Sequence, residues 1–139
     1  MNTYKIEITK KKLLKALSDY YSKLYNTDIK VKEEHNIDYI GYYEQKTVNV
    51  RIYYEQKIEI LGHTATETKE ISLEEIKEII NEELNEKGYT IDNITYNSGI
   101  RDVEHLTRRA VSEEAYFEGI ELQVAKKPQI LSLKQERRN

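Results

Sequence analysis

The chain contains no cysteine and no tryptophan, and only one proline, one phenylalanine and one methionine. Without cysteine there is no disulfide framework, no thiolate nucleophile and no thiolate metal site. Without tryptophan, a core must be assembled from Ile, Leu, Val and some of the 12 tyrosines. No apolar run reaches the length that spans a bilayer. The opening "MNTYKIEITKKK" lacks the apolar stretch of a signal peptide, so a cytoplasmic protein is expected. Neither charge sign dominates: 22 Lys and Arg stand against 25 Asp and Glu, a net charge of −3. That balance argues against a general binder of nucleic-acid duplexes, but leaves room for a local basic pocket. With 139 residues and no stretch that reads as a linker, one domain is expected over 1–127, followed by a polar, basic tail over 128–139.

What is present is periodic. Leu13, Leu14, Leu17, Tyr20, Tyr21 and Leu24 recur at helical spacing behind Thr9, a suitable N-cap. "YNTD" ends that helix, and "IKVKEEHNI" alternates as a strand. A turn is expected around Asn36–Gly41. "SLEEIKEIINEELNEKGY" opens on a capping box, Ser72 with Glu75. It carries one apolar stripe (Leu73, Ile76, Ile79, Ile80, Leu84) and stops at Gly88. Its glutamates read as a solvated face. "YTIDNITYN" and "YFEGIELQV" are strands, the second with Ile120, Leu122 and Val124 on one face. Between them lies a long polar excursion, with a short helix expected over Asp102–Val111. After it, Pro128 suits either the first turn of a short helix or a frayed end. The expected fold is α+β: a mostly antiparallel sheet with two main helices on one face and a long excursion before the last strand.

The pentapeptide "YYEQK" occurs twice, at Tyr42–Lys46 and Tyr53–Lys57. The offset is odd, so in a continuous strand the copies face opposite sides. Val48, Val50 and Ile52 take one side; Asn49, Arg51 and Tyr53 take the other. The repeat therefore reads as a strand preference expressed twice rather than as a motif. It leaves Tyr53 beside Arg51, where the pair can line a partner surface or stack on a ring.

Chemistry is sparse. His35, His63 and His105 have no ligands at metal-binding spacing, and no metal or cofactor is expected. "NSG" at Asn97–Gly99 lacks the further glycines of a phosphate loop. The excursion is the best candidate. If it is helical, Arg101, His105, Arg108 and Ser112 share a face, Arg109 is adjacent, and Asn97 or Tyr96 can read a base or sugar. Guanidinium forks suit phosphate. The plainer alternative pairs Glu104 with Arg108 and Arg109 with Glu113 on a solvated helix.

The order of elements, with "YTIDNITYNSG" and "YFEGIELQV" flanking the excursion, resembles phage-encoded Thoeris anti-defence proteins over most of residues 9–125. The look of an AT-rich genome, such as an anaerobic firmicute's or its phage's, agrees. The resemblance implies a protein that is not an enzyme. It would sequester a small nucleotide second messenger of the cyclic ADP-ribose type, made by a host TIR-domain protein, in the host cytoplasm. It further implies a homo-oligomer with pockets between subunits. Arg101, Arg108 and Arg109 would meet the pyrophosphate. Tyr53, Tyr89, Tyr96 or Tyr116 would meet the adenine. Tyr20, Tyr21, Leu24 and Tyr25 would supply subunit contacts. Rival readings are an anti-CRISPR-like inhibitor that binds a host nuclease directly, a structural phage protein, and an enzyme acting on a phosphorylated small molecule.

Overall fold

The structure is a computed structural model that describes residues 2–41, 45–105 and 110–128, without the side chains of His105, Ala110 and Val111. Its elements are β1 (Thr3–Thr9), α1 (Lys10–Tyr25), β2 (Lys32–Ile40), β3 (Gln45–Ile60), β4 (His63–Glu70), α2 (Leu73–Glu86), β5 (Tyr89–His105) and β6 (Ala110–Lys126). They form two antiparallel three-stranded sheets, ordered β1-β6-β5 and β2-β3-β4. The α+β class agrees with the sequence. Both helices lie on one face of the first sheet. The second sheet covers the same face further along.

The helices begin and end as their caps dictate. Thr9 accepts from Lys12 N, and Ser72 accepts from Glu75 N at 3.1 Å while its hydroxyl donates to the Glu75 carboxylate. Asn26 closes α1 in the left-handed region, and Gly88 follows α2 at φ +87°. Leu13, Leu17 and Tyr21, at four-residue spacing on α1, pack with Ile76 of α2 and with Ile52 and Tyr54 of β3. Ile120, Leu122 and Val124 of β6 complete this buried cluster. Ser18 and Ser22 then substitute for a missing strand neighbour. Ser22 Oγ accepts from Ile29 N (2.8 Å) and donates to Ile29 O (3.0 Å). Ser18 Oγ accepts from Val31 N (2.9 Å). The irregular segment before β2 is thereby satisfied while Ile29 and Val31 are buried. Asn81 does the same for β5, accepting from Ile91 N.

Three expectations are corrected. Residues Asp102–His105 and Ala110–Val111 are not helical: they are the outer ends of β5 and β6, paired Asp102↔Glu113, Val103↔Ser112 and His105↔Ala110. Helical spacing in a short window yields to a partner strand that satisfies every second backbone group. Residues 106–109 lie outside the described region. The turn expected over Asn36–Gly41 is strand as far as Ile40, and the chain turns only at Gly41, φ +69°. Finally, "TYKIEIT" is β1, an element the sequence reading did not include; its partner β6 is distant in sequence.

The β5–β6 hairpin carries two compensating irregularities: Asp92 is the extra residue on β5 and Glu118 the extra residue on β6. Across Glu118 the core-facing positions of β6 change from odd to even along the chain, so Phe117 and Ile120 both face the core. Gly119 sits beside this bulge at φ +140°. A Cβ there would stand 1.9 Å from the Ile8 carbonyl oxygen, so only glycine fits.

Candidate binding surfaces

The residues singled out from the sequence do not converge. Tyr53 stands on the outer face of the second sheet. The Arg51 guanidinium lies 4.6 Å from its ring centroid, as the alternation predicted. That arginine is already engaged: it pairs with Glu70 and with Glu34, and the Tyr53 hydroxyl donates to Glu34 at 2.9 Å. The carboxylates hold the Tyr53 hydroxyl above its usual pKa. This is a satisfied cross-strand cluster, not an open anion site.

Tyr96 faces the core on the first sheet, edge-on to Phe117 with ring centroids 5.7 Å apart, and burial raises its pKa. Asn97 pairs with Gly119 and points to the opposite face from its neighbour Tyr96. Arg101 lies further out on that opposite face, with its guanidinium 5.8 Å from the Tyr116 ring centroid. Gly99 makes this possible, because the Tyr116 hydroxyl and ring edge occupy the space a Cβ would need, at 2.6 and 2.8 Å. The side chain of His105, and the whole of Arg108 and Arg109, lie outside the described residues. Of the tyrosines considered for adenine stacking, Tyr89 meets Tyr4 edge-on. Only Tyr116 combines an accessible ring with a neighbouring arginine that makes no ion pair among the described residues.

One surface was not anticipated. Between α1 and α2 runs a groove of about 460 Å³. Its floor is apolar: Ile8, Leu13 and Leu17 on one side, Ile79 and Ile80 on the other. Ala16 opens it, since a longer side chain at that position would close the space between the helices. An adjoining recess of about 210 Å³, reached past Tyr20 and Leu24, extends it toward the start of α2. The rim is acidic. Asp19, Glu82, Glu83 and Glu86 border the main section, with Glu75 and Glu78 at the recess; among the described residues Lys23 is the one cation lining either part. Asp19 pairs with Lys15 and Glu83 with Lys87, whereas Glu82 and Glu86 make no ion pair among the described residues. The glutamates read as a solvated face therefore border a cleft. The available signal was Ala16 on an otherwise bulky stripe.

One charged cluster is enclosed. Glu33 projects from β2 between the sheets with its side chain 1% exposed. His35 Nδ1 donates to one carboxylate oxygen at 2.7 Å. The Lys10 ammonium stands 2.8 Å from the other, a charge partner although the pair misses hydrogen-bond geometry. Among the described residues no group of three or more His, Asp or Glu side chains is disposed to hold a metal ion, and no helix is long and apolar enough to cross a membrane. Compared with known proteins, the chain matches no family model, no curated protein and no solved structure.

Proposed function

We propose that this protein acts by occupancy: it binds a partner protein through the α1–α2 groove, and the bound element is a basic amphipathic helix. The observation that carries this reading is the pairing of an apolar floor with an acidic rim on the same cleft. A helix laid in such a groove buries its apolar face, while Lys and Arg on its flanks meet Glu82 and Glu86. Proteins that handle nucleic acid carry such basic surfaces. The direct inhibitor of a host nuclease, one of the readings raised by the sequence, is the form of this function that the groove favours. Nothing in the proposal requires a catalytic group.

A photo-crosslinking residue in place of Lys23, on the rim of the groove, tests it in cells. The expected result is a crosslink to one partner through a Lys- or Arg-rich helical segment, lost when Glu82 and Glu86 are changed to Lys. The control is the same probe in place of Thr68, on the polar outer face of the second sheet. Equal capture from both positions, or none from the groove, removes the groove from the account.

Nucleotide sequestration keeps one supporting observation, the Arg101–Tyr116 pair over Gly99. An arginine beside an open ring is a platform for a phosphate and a base. Calorimetric titration with cyclic ADP-ribose isomers and cyclic dinucleotides decides between the two readings. Tight uptake that falls at least about tenfold in Arg101→Gln, with intact ligand recovered on heating, would favour sequestration. Silence across the panel leaves the groove.

A further inference from the structure

We infer that β1 is a self-pairing edge, through which two copies of this chain join their first sheets into one six-stranded antiparallel sheet. Among the described residues β1 pairs only with β6, so one side of its backbone offers unpaired N–H and C=O groups. Proteins usually blunt such an edge with charged side chains, a proline, a bulge, a very short strand or a covering segment. β1 has no proline or bulge, and its two charges, Lys5 and Glu7, are of opposite sign. It runs seven residues in unbroken register with β6, and it leaves Tyr4 and Ile6 46% and 37% exposed.

The order of its side chains selects the partner. Tyr4, Ile6 and Ile8 lie on the helix side of the sheet; Lys5 and Glu7 lie on the other. A two-fold axis normal to the sheet pairs residues about one central position. Centring it on Lys5 or on Glu7 would set two like charges directly opposite each other, which is destabilising. Centring it on Ile6 places each Lys5 opposite the partner copy's glutamate at position 7, twice over. On the apolar side, Ile6 then meets its own copy and each Tyr4 meets an isoleucine at position 8. Tyr4 and Ile6 also line an apolar depression of about 340 Å³ with Leu84, Tyr89 and Val124, so the paired edges would bring two such patches together. Within one chain Lys5 is 3.6 Å from Glu7 and 3.5 Å from Glu121, and both Lys5 and Glu7 remain more than half exposed. Each is free to turn toward a neighbour.

Charge reversal in solution is the test. Sedimentation velocity of the wild-type protein over a concentration series should show a monomer–dimer equilibrium. Lys5→Glu gives an edge with two carboxylates, and Glu7→Lys an edge with two ammonium groups. Each should dimerise roughly tenfold or more weakly than wild type. The two variants mixed in equal amounts should associate again, as should K5E/E7K. Both positions are exposed, and circular dichroism should report an unchanged fold. Three results would overturn the inference. One is a wild-type monomer at every concentration. Another is a dimer indifferent to either single reversal. The third is protection of the β1 edge amides from hydrogen exchange in a monomer, which would show the chain covering its own edge.

Discussion

The two halves of the β5–β6 hairpin make an instructive contrast. Up to the bulge at Glu118 the hairpin is the floor of the molecule, under both helices, and its buried positions are Ile91, Ile94, Ile120, Leu122 and Val124. Beyond the bulge the same two strands continue as an arm beside the outer part of β2 and β3. There Lys46 of β3 and Glu113 of β6 form an exposed ion pair between the sheets. Burying an isoleucine contributes about 2 kcal/mol, whereas an exposed ion pair contributes little. One end of the hairpin is held by packing. The other, past the buried Phe117, is held by its own ladder and by charges that salt will screen.

The sharpest way to break this comparison is to make the same substitution on both sides of the bulge. Gly119→Ala, on the packed side, meets backbone at 1.9 Å and a φ that an L side chain rarely adopts. It is expected to cost at least about 4 kcal/mol and to abolish cooperative thermal unfolding. Gly99→Ala, on the arm, meets only the Tyr116 ring, whose outer end can swing aside. It should unfold within a few degrees of wild type while releasing Arg101 from its ring. Equal losses would show that the arm is as tightly specified as the floor.

A smaller effect is expected where a charge, not a side-chain volume, joins the parts. Lys10→Met leaves the enclosed Glu33 carboxylate without its cation. Breaking a buried pair costs about 3–5 kcal/mol. Because Lys10 is partly exposed, a loss of about 2 kcal/mol in urea denaturation is expected. The double variant Lys10→Met, Glu33→Leu should recover most of it. Failure to recover would mean that Glu33→Leu has a cost of its own, through the lost contact with His35.

Alkaline pH probes the packed side through Tyr21. Burial, reinforced by the Glu75 carboxylate, pushes the Tyr21 hydroxyl up to about 12. In the unfolded chain it ionises near 10. The folded state therefore holds its proton where the unfolded state releases it. Its contribution is whole below pH 10 and is lost as pH rises from 10 to about 12. The urea midpoint should fall across that window, and Tyr21→Phe should flatten part of the fall. Tyr53→Phe removes a second hydroxyl held above its usual value, by Glu34, and should flatten a further part of the fall.

The smallest effect belongs to the arm. Glu113 raises the Lys46 pKa through their hydrogen bond. Lys46→Met should leave the melting temperature unchanged and speed amide exchange only in the outer parts of β3 and β6. A change in global stability would place the arms inside the cooperative unit.

How much of this was legible in the sequence follows from where each partner lies. The helices were readable because their determinants are local. Thr9, Ser72, Gly88 and the four-residue apolar spacing all act within a turn or two. The strand faces of β3 and of inner β6 were readable because period two is local as well. The outer hairpin was misread because its residues satisfy a helical template when seen alone, and what decides the matter is a partner strand on the far side of residues 106–109. β1 was missed for the same reason, with its partner more than a hundred residues away. The candidate site fared worse. Tyr53 beside Arg51 was correct as a neighbourhood, but the glutamates that neutralise it come from β2 and β4. The groove depends on Ala16 standing opposite Ile79 and Ile80, a relation that no single segment contains.

The bulge at Glu118 has one more consequence, and it concerns how such a chain can change length. It works like a phase shift. Every residue of β6 on its outer side keeps the face set by its partner on β5, because the pairing skips Glu118: Gly119 meets Asn97 and Phe117 meets Ser98. Losing Glu118 would close the ladder with Phe117 still opposite Ser98 and facing the core. Losing Phe117 instead would bring Glu118 or Tyr116 to that position, and losing any one residue further out would turn over the strand beyond it. In a lineage descended from this sequence, single-residue deletions in the arm should be rare. Changes in its reach should come in twos, or as matched changes on both strands.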